Sequence, residues 1–224
     1  MQKPLAAGGW IVMAIFSAIV AVYSWRFAAV PFGTWLAIDA GIQRVIAEVP
    51  LRALTHMLVA PIALLTGPFQ FYAALRVRHR RVHRIMGRVY VAACLIAGVG
   101  GLATAFHASG GPIAGAGFGI LAVFWVATTL AAWWAAARRR FALHQLLMRL
   151  SYALTFSAVT LRLQIPIGFA LGYPSYSAMS VWLAYSSWIP NVIAVCLYSI
   201  WIRRTQQSPR TMGSRGEYGA PTAA

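Results

Sequence analysis

LLMRLSYALTFSAVTLRLQIPIGFALG, residues 146 to 172, carries the strongest architectural signal in the chain. It is apolar and long enough to cross a bilayer as a helix, which takes about 20 residues. Deep in its second half stands Arg162, with no acidic residue near it in the sequence. An arginine inside the hydrocarbon layer costs several kcal/mol and marks a candidate functional site. The chain has three acidic residues, Asp39, Glu48 and Glu217, none of them within an apolar stretch. Arg162 must therefore pair with backbone, neutral polar groups, water or a bound anion.

Composition agrees with a membrane class. The chain is 60% hydrophobic and only 10% charged, against about 25% charged residues in soluble domains. The formal net charge of +16 would point to nucleic acid in a soluble protein. Here the arginines cluster between apolar runs, where the positive-inside rule puts them, so nucleic acid is excluded as a partner and membrane lipid is expected. Eighteen of the 19 basic residues are arginine, which with the abundant alanine and glycine reads as codon bias. Cys94 and Cys196 fall inside apolar runs and show no disulfide or metal spacing.

The fold class expected is an all-α integral membrane bundle of six transmembrane helices, with spans at about 9–30, 53–75, 89–107, 113–137, 146–172 and 179–202. The first run is too long, and lacks the small-residue site, for a cleaved leader, so it reads as a span. Six arginines lie in the loop from Arg76 to Arg88, and three more at Arg138, Arg139 and Arg140. Arg203, Arg204, Arg210 and Arg215 follow the last span, whereas the opposite loops hold little beyond Arg44 and Arg52. Both termini are therefore expected in the cytoplasm, with the protein in the bacterial cytoplasmic (inner) membrane. Residues 31–50, with Trp35, Ile38, Ile42, Val45 and Ile46, predict a short helix on the outer surface. The tail 205–224 is expected to be disordered.

Helical spacing gathers the polar residues into stripes. His144, Met148, Ser151, Thr155, Ala158 and Arg162 share a face of the fifth span. His56, Ala60, Ala63, Gly67 and Gln70 share one on the second, and His83, Gly87, Tyr90, Cys94, Ala97 and Gly101 one on the third. Such stripes pack towards neighbouring helices, either as a seam or as the lining of a central cavity. His83 and His144 sit at the cytoplasmic ends of their spans, and His56 and His107 near the outer ends. Paired histidines on facing helices suit b-type haem, with His83 and His144 as iron ligands. His144 and Arg162 are 18 residues apart, ~27 Å along a helix, so one small ligand does not touch both. No zinc pairing, nucleophile elbow or P-loop occurs in the sequence, so no hydrolytic or nucleotide-binding activity is indicated, while a redox role stays open. Pro166 and Pro190 interrupt the last two spans, as in the broken helices of transporters.

GPFQF at 67–71, HRIMGRVYV at 83–91, MRLSYALTFSAVTLRL at 148–163 and WIPN at 188–191 resemble a bacterial family catalogued as domain of unknown function 2306. The resemblance covers roughly residues 50 to 195 and implies a multi-pass membrane protein. The positions that match are His56, Gly67, Pro68, Gln70, His83, Gly87, Arg88, His144, Arg149, Ser151, Tyr152, Thr155, Arg162 and Asn191. His107 is outside the pattern, which weakens an outer haem pair. The family often carries a glutamate soon after the Pro-Asn of the last span, and Val192 to Cys196 stand there instead. The leading expectation is a cavity that binds b-type haem or another anionic cofactor or lipid. Its candidate residues are His83, His144, His56, Arg162, Arg149, Tyr152, Gln70 and Asn191. The alternatives are a small-molecule or lipid transporter, with Arg162, Gln70 and Asn191 on its path, or a structural subunit of a membrane complex. A homo-oligomer or a redox partner fits these readings.

Overall fold

The computed structural model describes residues 7–27 and 40–207. Among them are ten α-helices: α1 Ala7–Ser24, α2 Ala40–Glu48, α3 Pro50–Phe71, α4 Ala73–Arg78, α5 Arg80–Ala105, α6 Gly111–Ala137, α7 Phe141–Thr155, α8 Ser157–Ala170, α9 Tyr176–Ser186 and α10 Ile189–Gln207. Six helical stretches are long and apolar enough to cross a membrane: Gly8–Phe27, Pro50–Phe71, Arg80–Ala105, Gly111–Ala137, Phe141–Ala170 and Tyr176–Thr205. The fold is all-α, as expected. Large apolar side chains cover the outside of the bundle, including Ile11, Ile15, Ile19 and Val22 of α1 and Ile193, Leu197 and Ile200 of α10. In water that surface would be prohibitive; against lipid it is the favourable one.

The antiparallel course gives the bundle an arginine-rich end and an opposite end. Trp10 Nε1 donates to the Pro68 carbonyl at 2.8 Å, tying the start of α1 to the end of α3. Trp25 Nε1 donates to the Leu58 carbonyl at 3.1 Å, tying the end of α1 to the first half of α3. The Arg138 and Arg140 guanidiniums lie 5.9 and 5.1 Å from the Trp134 ring, a pairing suited to the headgroup layer.

Small residues set the helix spacing. A Cβ on Gly100 would lie 3.1 Å from both the Arg52 carbonyl oxygen and the His56 amide nitrogen. The backbones of α3 and α5 thus meet at a distance that a side chain at position 100 would crowd. The stripes read from the sequence face inward: Tyr90, Cys94 and Ala97 of α5, Ala63, Gly67 and Gln70 of α3, and Met148, Ser151 and Thr155 of α7 are all buried.

Both spans expected to be interrupted are divided, the sixth by Pro190 and the fifth away from Pro166. The fifth breaks at Phe156, between α7 and α8, rather than at Pro166, which sits inside α8. Hydroxyls around the break take up main-chain carbonyls: Thr155 Oγ1 bonds the Ser151 oxygen at 3.0 Å and Ser157 Oγ the Leu154 oxygen at 2.6 Å. Such back-bonding bends helices. The sixth divides into α9 and α10 just before Pro190, where a proline fits the first turn of a new helix. The surface helix expected within 31–50 forms as α2, but Val45 and Ile46 are buried, Ile46 against Phe27 and Ala53. Its apolar side therefore joins the bundle. Trp35, Ile38 and the tail beyond Gln207 lie outside the described residues.

Candidate functional site

A layer of neutral polar side chains crosses the middle of the bundle. The Tyr90 hydroxyl of α5 lies 2.9 Å from both Ser151 Oγ and Thr155 Oγ1 of α7. Trp125 Nε1 of α6 donates to Thr155 Oγ1 at 2.8 Å, and Thr129 Oγ1 lies 2.7 Å from Ser151 Oγ. Tyr152 points the other way and shares a hydrogen bond of 2.7 Å with Ser17 of α1. Its ring rests on Gly67, where a Cβ would lie 2.0 Å from Tyr152 Cε2.

On the side of this layer away from the arginine-rich loops lies a cavity of about 900 Å³. The sequence stripes divide at the layer. His56 and Ala60, Gly101, and Thr155, Ala158 and Arg162 line the cavity. His83, Gly87, Met148 and His144 do not, so the cavity is not the full-length central one that three continuous faces imply. Arg162 is half-buried at the wall. Its Nη1 donates to the Ala158 carbonyl at 3.0 Å and its Nη2 to Ser24 Oγ of α1 at 2.8 Å. Both partners are neutral. Glu48, the one acid among the described residues, pairs with Arg44 at 3.2 Å.

His56 lines the same cavity as Arg162. Its Nδ1 lies 2.8 Å from the Ala97 carbonyl oxygen. A carbonyl only accepts, so Nδ1 carries the proton and the Nε2 lone pair is left over. A Cβ on Gly101 would lie 2.7 Å from His56 Nδ1, so glycine there makes room for the ring.

Gln70 and Asn191 do not join Arg162. Gln70 is buried near Gly87, towards the arginine-rich end, and its Nε2 has no partner. Asn191 Nδ2 donates to Thr160 Oγ1 at 2.9 Å, to the Ser187 carbonyl at 3.1 Å and to the Ala153 carbonyl at 3.3 Å. Asn191 thus fastens α10 to the α7–α8 break, because another helix's hydroxyl and carbonyl sit where an isolated Asn would leave a donor unmet. Arg149 lies 5.7 Å from the Tyr198 ring, between α7 and α10. At the arginine-rich end His144 Nδ1 donates to the Ala132 carbonyl at 2.9 Å. His83 lies within electrostatic range of His144, and its Nδ1 is buried without a partner.

The structure adds Arg26, Tyr23, Ser24, Trp125, Tyr176 and Ser180 to the cavity wall. Sequence reasoning passes over Arg26 because it ends the first span among Tyr23, Trp25 and Phe27, the composition of an interfacial anchor. Its depth from the outer end, matched to that of Arg162, is the signal that could have found it.

An inward-facing arginine over a one-sided cavity defines a helical multi-pass membrane protein with a candidate anion site. A family model for predicted membrane proteins, DUF2306, matches residues 53–200, and the chain belongs to that family. No curated protein and no solved structure matches the chain.

Proposed function

We propose that the protein binds an amphiphile with an anionic group, a lipid or a cofactor, in the cavity beside Arg162. The observation that carries this reading is a guanidinium on the wall of an about 900 Å³ cavity, held among the described residues by a hydroxyl and a carbonyl. A central arginine costs roughly 2.5–3.5 kcal/mol in a helix inserted alone, and a bound anion offsets that. Cavities of about 300–1,000 Å³ are the ordinary size for small-molecule sites. The closed polar layer beneath supports a pocket open to one side over a continuous transport path. The arginine-rich loops belong in the cytoplasm by the positive-inside rule, which puts both termini there and turns the cavity to the outer face of the inner membrane. The test is native mass spectrometry of protein purified from membranes. Wild type retains an anionic lipid or cofactor and Arg162→Leu, still inserted, does not. Arg162→Lys retains less, since an ammonium lacks the planar fork. Equal retention by all three sinks the reading.

A second reading is haem at the arginine-rich end, with His83 and His144 as axial ligands. His144 supports it, because a ligating histidine commonly donates its other ring N–H to a carbonyl, as Nδ1 does to Ala132. The partnerless Nδ1 of His83 is a second support. Protein expressed with haem supply then shows a low-spin Soret spectrum that either His83→Ala or His144→Ala abolishes. Colourless wild-type protein rejects this site and leaves the first untouched. A redox partner belongs to this reading alone, and self-association is compatible with both.

A further inference from the structure

We propose that the anionic group is a terminal phosphate carrying two negative charges, a monoester or a diphosphate, held between Arg26 and Arg162 with its apolar chain in the cavity. This rests on the reading of the cavity as an anion site and deepens it. Both arginines line the cavity and lie within electrostatic range of each other. Two guanidiniums facing one low-dielectric space repel, and a ligand with one negative charge balances only one of them. Among the described residues Arg26 has few partners. Its Nη1 bonds the Tyr23 hydroxyl, its guanidinium lies 4.1 and 5.1 Å from the Tyr23 and Phe27 rings, and its Nε is buried with no partner. Ring faces stabilise a cation by about 0.5–2 kcal/mol, less than a charge-assisted bidentate contact with an oxyanion supplies.

An independent observation concerns the same cavity. Ser180 of α9 is fully buried, lines the cavity, and its hydroxyl has no partner among the described residues. A phosphate oxygen is an acceptor that such a hydroxyl lacks. A phosphate monoester carries roughly −1.5 to −2 charges at neutral pH, whereas a carboxylate or a phosphodiester carries one. The rest of the wall is suited to a hydrocarbon chain: Ile42, Val45, Met57, Leu64, Phe118 and Leu121.

The test uses the full chain in phosphatidylcholine nanodiscs and four probes: dodecyl phosphate, methyl dodecyl phosphate, dodecanoate and inorganic phosphate, with dissociation constants from calorimetry. Dodecyl phosphate is expected to bind at least about tenfold more tightly than the diester or the carboxylate. Weak inorganic phosphate assigns the headgroup to a lipid, and inorganic phosphate binding as tightly as dodecyl phosphate assigns it to the free ion. Arg26→Gln should bring the monoester down to the level of the diester, and Arg26→Lys should restore the preference, which separates charge from folding. Arg162→Gln should abolish binding of every amphiphile. Diester and carboxylate binding as well as the monoester, through Arg162, overturns the two-charge inference and leaves the anion-site reading standing. No binding of any probe overturns both.

Discussion

Gly67→Ala should destabilise the bundle severely although it adds one methyl group to a buried seam. The new Cβ would lie 2.0 Å from Tyr152 Cε2, 2.3 Å from Cδ2 and 3.2 Å from Cζ. No rotamer of an alanine relieves this, so the tyrosine ring or the helix must move. The ring is held on several sides: its centroid is 5.4 Å from that of Phe71, 6.2 Å from Phe156 and 6.4 Å from Tyr90. Its hydroxyl is bonded to Ser17 at 2.7 Å. Overpacking by a methyl typically costs ~1–3 kcal/mol. A ring that swings aside also breaks the Ser17 bond, worth ~0.6 to 1.7 kcal/mol between membrane helices. The expected loss is therefore about 2–4 kcal/mol, read from reversible unfolding in mixed detergent micelles. Tyr152→Leu removes the obstruction, so the double variant should be no less stable than Tyr152→Leu alone, a coupling of about 2–4 kcal/mol. A Gly67→Ala protein within about 0.5 kcal/mol of wild type, the range of an innocuous surface change, refutes the reasoning. Strict additivity with Tyr152→Leu refutes it equally.

Tyr90→Phe keeps the ring and removes one hydroxyl, leaving Ser151 and Thr155 with their bonds to Thr129 and Trp125; a loss of about 1 kcal/mol in the same unfolding assay is expected, with no loss of membrane insertion. Asn191→Leu removes the Nδ2 contacts to Thr160, Ser187 and Ala153 and the acceptor Oδ1 of Thr160, which keeps only its 3.4 Å contact to the Phe156 carbonyl, so it should cost about 2 kcal/mol, more than Tyr90→Phe, in the order that unfolding midpoints will report. A reporter fused after Arg204 should be active only if it works in the cytoplasm; activity of a periplasm-dependent enzyme there reverses the orientation.

Much of the architecture was legible because a bilayer removes alternatives. Apolar runs of spanning length must be helical, and small or polar stripes must turn inward, as Tyr90, Cys94 and Ser151 do. Arg162 could likewise be assigned to the interior, since lipid offers a guanidinium nothing. Its partners could not. The sequence puts Arg162, Gln70 and Asn191 on one path and the interruption at Pro166, but the span breaks ten residues before Pro166, beside the back-bonded hydroxyls of Thr155 and Ser157. Asn191 is then consumed at that break, and Ser24 arrives from a helix about 140 residues away in sequence, at a separation of 138. Arg26 was hidden for a different reason. Its sequence neighbours are those of a lipid-facing anchor, and only the packing of α1 beside α8 turns it to the cavity.

The polar layer below the cavity explains where charge compensation must come from. Proton by proton, it is closed. The Trp125 indole donates to Thr155 Oγ1, Thr155 donates to the Ser151 carbonyl, and Thr129 donates to the Trp125 carbonyl at 2.7 Å. The Ser151 proton then goes to Thr129 Oγ1, and the Tyr90 proton is shared between Ser151 and Thr155. Each hydroxyl donates once, and none of the members bears a charge. Such a layer holds α5, α6 and α7 together at little electrostatic cost, because neutral, mutually satisfied groups lose little on leaving water. It also has no lone pair turned towards Arg162 and no carboxylate to send. Among the described residues no carboxylate reaches Arg162 or Arg26, so the ligand proposed above would supply their counter-charge from the open side of the cavity.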